Sequence, residues 1–274
     1  MTKRRIIFSL LLSLIALYLS ACGKSDIEKL ILTGSSTVAP LAMELARAFE
    51  KTQAKVRIDV QTGGSSRGVA DTRAGLATIG MVSRALKPSE TDLLAHTIAY
   101  DGVTPIINKK NPIDSLSNAQ IVAIYQGKVK NWSQVGGPDK VITVVNKAEG
   151  HSTLELFLTY FKLTNREIKA DIVIGDNQQG IKTVLGNPWA IGYVSIGSAE
   201  YEEHQGSAIK LLGVGGIAAT TAMVKQGRYP LSRPLNLVTI NVPQGLSKAF
   251  IAFAQSSQAN AIIEQQYFIP ANAH

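Results

Sequence analysis

One unit recurs along this chain and constrains its fold more than any other feature. An apolar, strand-length run stops, a short loop of small polar residues follows, and a helical pattern begins. The unit occurs as TGSSTVAP at 33–40, TGGSSRG at 62–68 and KAEGHST at 147–153. Short apolar runs alternating with amphipathic stretches are the pattern of an α/β protein. Strands are expected at 30–33, 56–60, 103–108, 141–146, 171–175, 190–196 and 235–240. Helices are expected at 41–52, from about 66 to 75, and at 118–127, 153–162, 181–187 and 247–255. In the first helix Leu41, Leu45 and Phe49 fall on one face, the spacing of a core-facing stripe. No internal repeat or low-complexity tract is present.

The three loops carry a chemical expectation. A helix start has unpaired N–H groups and the positive end of the dipole. Ser and Thr add hydroxyl donors there, and glycine lets a ligand approach the backbone. At any single loop, Ser or Thr acting only as a helix cap is the simpler reading. Three such loops, with Arg67, Arg84 and Lys147 in or near them, point instead to an anion, a small oxyanion, held at the carboxyl edge of parallel strands. None of the loops has the Gly-Lys-Ser/Thr ending of a nucleotide P-loop. GHSTL at 150–154 lacks the final glycine of a nucleophile elbow, which argues against a serine hydrolase using His96 or His204 as base. Four histidines without ligand spacing and one cysteine give no zinc site, and no metal or cofactor is expected.

The N-terminus sets the compartment. Lys3, Arg4 and Arg5 precede a short apolar run at 6–19, the pattern of a secretory signal at residues 1–21. The run ends in LSAC at 19–22, which resembles a bacterial lipobox and implies cleavage before Cys22 and a lipid anchor on its sulfur. An ordinary signal leaving one stray thiol is the alternative. Cys22 is the single cysteine, so no internal disulfide forms, and a lipidated thiol needs no partner in an oxidising compartment. Loss of three basic residues with the signal lowers the net charge from +8 to +5. The remaining lysines and arginines are scattered, with no run longer than Lys109–Lys110, which excludes a nucleic-acid surface and leaves a modest pull on anions.

Seven segments in order, GSSTVAPLA, TGGSSRGVAD, IGMVSRAL, DGVTPIIN, GKVKNWSQVGG, KAEGHST and NPWAIGYVSIG, resemble the phosphate-binding lipoproteins of bacterial phosphate ABC transporters. The resemblance runs from about residue 31 to the C-terminus. It implies a two-lobed periplasmic-binding-protein fold, each lobe a mostly parallel sheet flanked by helices and joined by hinge segments that close on the ligand. With it come a tether at 22–29, a first lobe at 30–102 and 236–274, and a second at 103–235, the return crossing falling somewhere in 197–240. It also implies a monomeric, non-enzymatic protein, exported and lipid-anchored through Cys22, that captures inorganic phosphate for an ABC permease. Another tetrahedral oxyanion (sulfate, molybdate or arsenate), or a sensor or adhesin with this fold, is the alternative.

Carried over by position, the resemblance assigns Ser36, Thr37 and the Val38 amide to a first ligand loop, and Ser65 with its neighbour Ser66 to a second. Ser83 and Arg84 form a third; Lys147, His151, Ser152 and Thr153 form a fourth, where relatives usually carry Arg, Ser, Gly and Thr. Lysine is a point charge rather than a planar fork, so Arg84 or Arg67 is expected to supply the two-pronged donor. The aspartate that many relatives use to accept the phosphate proton is absent from VSR at 82–84. Glu149 is the expected replacement, ahead of Asp71 and Asp101. Trp132 and Trp189 are expected in lobe packing, since a small anion offers nothing to stack on.

Overall fold

The computed structural model describes residues 27–273; the expected signal, Cys22 and most of the tether lie outside the described residues. The first half-chain builds β1 (Glu28–Gly34), α1 (Val38–Glu50), β2 (Val56–Thr62), α2 (Ser65–Arg73) and β3 (Ile79–Val82), then a long strand β4 (Leu94–Asn108). There follow α3 (Asn118–Tyr125), β5 (Thr143–Lys147), α4 (Ser152–Phe161), β6 (Ile172–Ile174), α5 (Asn177–Gly186), β7 (Ala190–Ser195), α6 (Ile196–His204) and β8 (Ile209–Leu211). The chain ends with α7 (Thr221–Lys225), β9 (Ser232–Thr239), α8 (Gly245–Ala254), α9 (Ser257–Gln265) and β10 (Ile269–Pro270).

The strands join in the order β2-β1-β3-β9-β4-β7-β5-β6, with β8 and β10 also paired to β4. The outer strands are parallel within each half: β2-β1-β3 at one end, and β7-β5-β6 at the other. At the centre β4 runs antiparallel to both β9 and β7. A strand that leaves one lobe and one that returns must run in opposite senses, so the crossing segments pair with each other. The result is a mixed α/β, two-lobed architecture. Its second half of β4 is an almost continuous apolar run, as expected for a strand covered on both faces.

Each lobe has its own core. Leu32, Leu41, Leu45, Met81, Leu237 and Phe250 belong to the first. Trp132, Tyr125, Phe157, Tyr193, Val103 and Leu231 belong to the second. Phe157 stacks on Tyr193 with ring centroids 4.0 Å apart, and the Trp132 indole N–H donates to the Trp189 carbonyl. Leu231 packs in the second core and Leu235 in the first, so we propose that the return crossing falls between them, at the start of β9.

Three differences from the sequence expectation have local causes. The strand expected at 103–108 begins at Leu94, because 94–102 alternates around Thr, His and Asp and gains its order from pairing with β9. The helix expected to begin at 181 begins at Asn177, capped by Asp176, whose carboxylate accepts from the Gln179 amide. The helix expected to close the chain is followed by α9, whose Ala259 and Ile263 complete the first core.

Candidate functional site

The loops after β1, β2, β3 and β5 meet where the lobes face each other. Gly64 takes φ +89°, and a Cβ there would stand 2.7 Å from the Gly150 carbonyl oxygen of the other lobe. Only glycine allows this approach. Beside it the Ser66 amide donates to the same Gly150 carbonyl at 3.0 Å.

Hydroxyls from both lobes then form one buried network. The Ser83 and Ser152 oxygens are 2.6 Å apart, Ser65 and Ser152 2.9 Å, and the Ser35 hydroxyl donates to Ser83 at 2.9 Å. Ser35 also accepts from the amides of Thr37 and Val38 at the start of α1, and Ser65 from the Ser83 amide. The N-cap side chains of α1 (Thr37) and α4 (His151) make no capping hydrogen bond, and α2 is preceded by Gly64. Away from the cluster, α3 is closed by a full capping box of Ser117 and Gln120. Three helix starts are therefore grouped around buried hydroxyls without conventional caps, an arrangement suited to negative charge.

Two cations enter the network. Arg233, on β9, is 3% exposed. Its Nη1 donates to Thr153 Oγ1 at 3.0 Å and Ser83 Oγ at 3.3 Å, and its Nη2 to Thr37 Oγ1 at 3.0 Å. Its Nε and Nη2 also grip Asp101 Oδ2, at 3.1 and 2.8 Å. Asp101 and Arg233 are directly opposite in the β4–β9 ladder, so the two crossing strands place this ion pair between the lobes. The second cation, Lys147, is 1% exposed, and its Nζ donates to Asn177 Oδ1 at 3.1 Å. Asn177 Nδ2 in turn donates to Thr37 Oγ1 at 3.0 Å. Burial pushes the Lys147 ammonium down to about 7, against a raising pull from Asp176, and Arg233 adds to the lowering. Burial likewise lowers the half-buried His151, whose ring Nδ1 lies 3.1 Å from the Ala148 carbonyl.

Of the expected site residues, Thr37, Ser65, Ser83, Lys147, Ser152 and Thr153 come together in this cluster, with Val38 N–H and His151 at its edge. Ser36 is half-buried and takes no part in the hydroxyl network; Ser35 occupies that place. Arg84 lies elsewhere, although its backbone is in the expected loop. Its guanidinium forks onto Glu90 at 2.8 Å to each oxygen and reaches Glu155 of α4 at 3.0 Å, where Lys87 also pairs. Burial opposes ionisation of Glu90, but hydrogen bonds from Arg84 and the Lys87 amide hold its carboxyl below the usual range. Arg84 thus bridges the lobes instead of joining the hydroxyls. Arg67 is exposed and paired with Asp71, which accounts for both. Glu149 is exposed and accepts from Asn165 at 2.8 Å, away from Lys147.

Ser35, Asn177 and Arg233 were not expected from the sequence, and Asp101 only as a lesser candidate for the proton acceptor. The available signal was one charged residue inside each of two apolar stretches, YPLSRPLNLV and AYDGVTPIIN. A charge in a buried strand must find a partner or a ligand.

A two-lobed α/β body with a buried polar cluster between its lobes defines the class of the periplasmic-type binding proteins. Residues 21–258 match the PBP superfamily domain. The chain is 26% identical to the phosphate-binding protein PstS of Bacillus subtilis, over 98% of this chain and 95% of that one. A crystal structure from Clostridium perfringens, described as a phosphate ABC transporter substrate-binding protein with bound phosphate, superposes with a TM-score of 0.82. That match has 31% identity and covers 89% of this chain and all of that one, 100%. An ABC-type phosphate transport receptor from Vibrio cholerae gives 0.71 at 30% identity, with coverage of 88% and 99%. The chain belongs to the PBP superfamily and, within it, to the PstS-type substrate-binding proteins.

Proposed function

We propose that this protein captures inorganic phosphate outside the cytoplasmic membrane and delivers it to an ABC-type permease, without catalysing a reaction. The observation that carries the reading is the buried cluster in which Ser35, Ser65, Ser83, Ser152, Thr37, Thr153, Lys147 and Arg233 meet from both lobes. Neutral donors, three helix starts and two cations suit a small tetrahedral anion with several oxygens, and closing lobes exclude water around it. The phosphate bound in the Clostridium perfringens relative supports phosphate over other oxyanions. Calorimetry of the mature chain is expected to show tight binding of phosphate and at least about tenfold weaker binding of sulfate and molybdate, a difference of roughly 1.4 kcal/mol. Sulfate binding as tightly as phosphate would remove the assignment.

The protein acts as a monomer anchored through Cys22. Among the described residues no helix is long and apolar enough to cross a membrane; the support for the anchor is the lipobox-like LSAC at 19–22. A Cys22→Ser chain is expected to leave the membrane fraction, and wild-type fractionation of that variant would exclude the anchor. The bridge from Arg84 and Lys87 to Glu155 supports a further role in holding the closed lobes together.

A further inference from the structure

The charges of the cluster do not balance unless a proton moves. Among the described residues the charged groups that meet in it are one arginine, one lysine and, through Arg233, one carboxylate, Asp101. Both Asp101 oxygens are committed: Oδ2 to Arg233, and Oδ1 to the Gly197 amide at 3.1 Å. Arg233 and Asp101 therefore cancel, and among the described residues a protonated Lys147 is a buried positive charge with no carboxylate in contact, Asp176 acting on it only through space. Its hydrogen bond goes to a neutral acceptor, Asn177 Oδ1. A buried ammonium so placed sheds its proton unless a counter-charge arrives.

We infer that Lys147 sets the proton stoichiometry of anion capture: its Nζ takes up one proton as a phosphate dianion enters the cluster. This rests on the phosphate reading above. The lone pair of Nζ forms the new N–H bond. The proton comes from solvent when phosphate arrives as the dianion, and from the ligand's own O–H, which breaks, when it arrives as the monoanion. No electrons change hands. The lowered position of the Lys147 ammonium, about 7, agrees with this geometry.

The other ionisable groups around Nζ are accounted for. Asp176, at the start of α5, pulls Lys147 upward, and Arg233 on β9 pulls it downward. His151, at the start of α4, is lowered, first by burial and then by Lys147 itself, so it stays neutral above neutral pH. Tyr193, on β7, accepts from the Lys147 amide, donates to Asn146, and is raised by burial out of the working range. The linkage sign follows. Binding raises the affinity of Nζ for its proton, so protons are taken up and phosphate affinity falls as pH rises through the free-protein midpoint.

The test is calorimetry of phosphate binding in buffers of different ionisation enthalpy, from about pH 8.5 to 9.5, where phosphate stays almost wholly the dianion. One linked proton predicts about a tenfold loss of affinity over that unit and uptake approaching one proton per anion at the upper end. Lys147→Arg, which keeps its charge throughout, is expected to show a pH-flat affinity and no uptake. An unchanged wild-type affinity across the range, or equal uptake in Lys147→Arg, overturns the inference. The 13Cε resonance of Lys147 in phosphate-free wild type gives an independent reading that needs no variant to fold. A midpoint near neutrality supports the inference, and one at the ordinary lysine position overturns it. Absence of phosphate binding at every pH would instead remove the functional reading, and the coupling with it, whatever that midpoint is.

Discussion

Arg233→Ala is expected to abolish high-affinity phosphate binding, raising Kd by at least about thirtyfold. Arg233 reaches Thr37 and Ser83 of one lobe and Thr153 of the other. Its removal therefore loses a charged donor and the alignment of three hydroxyls together. Truncating one partner of a buried, hydrogen-bonded charge pair costs about 2–5 kcal/mol in comparable interfaces, or roughly 30-fold to several thousandfold. Much of that cost comes from Asp101, 1% exposed at its side chain, which would face the anion with its charge uncompensated. Arg84→Ala should cost much less, within about tenfold, since Arg84 acts through Glu90 and the Glu155 bridge and not through the hydroxyl network. An Asp101→Ala/Arg233→Ala double variant separates folding from recognition: it should recover stability without recovering affinity. Equal losses from Arg84→Ala and Arg233→Ala would return Arg84 to the anion site.

Asp101→Asn is expected to destabilise the fold by about 3–5 kcal/mol, the usual cost of leaving one buried charge of a pair without its partner. For a chain of this size that lowers Tm by roughly 6–20 °C. The destabilised element is specific, because Asp101 joins β4 to β9 through Arg233 and also holds the Gly197 amide at the start of α6. An anion supplies the charge that the substitution removes. Phosphate should therefore raise the Tm of the variant by more than it raises that of wild type. Thermal melts with and without phosphate measure both quantities. A variant of wild-type stability that no longer prefers phosphate over sulfate would give a different result. It would make Asp101 the acceptor of the phosphate proton and not the partner that fixes Arg233.

Sequence alone determined the parts of this protein that depend on neighbours along the chain. A strand-length run, a Gly/Ser/Thr loop and a helix start are local patterns, so the α/β class and the loops at 33–40, 62–68 and 147–153 were legible, while the placing of Ser65, Ser152 and Lys147 in those loops as ligand residues came with the family resemblance. Which serine of a pair turns inward was not, because Ser35 and Ser36 differ only in the direction the turn gives them. The fate of Arg84 depended on Glu90 six residues away and on Glu155 across the cleft, and neither is marked in the loop itself. Only the tertiary structure decided the centre of the site. Arg233 and Asp101 are 132 positions apart and become neighbours because an outgoing and a returning strand pair antiparallel between the lobes. A lone charge in an apolar stretch announces that a partner exists, but the sheet register chooses the partner. Among the described residues that pairing spends the one carboxylate in contact with the cluster on Arg233 and leaves Lys147 with no carboxylate in contact, only the more distant pull of Asp176.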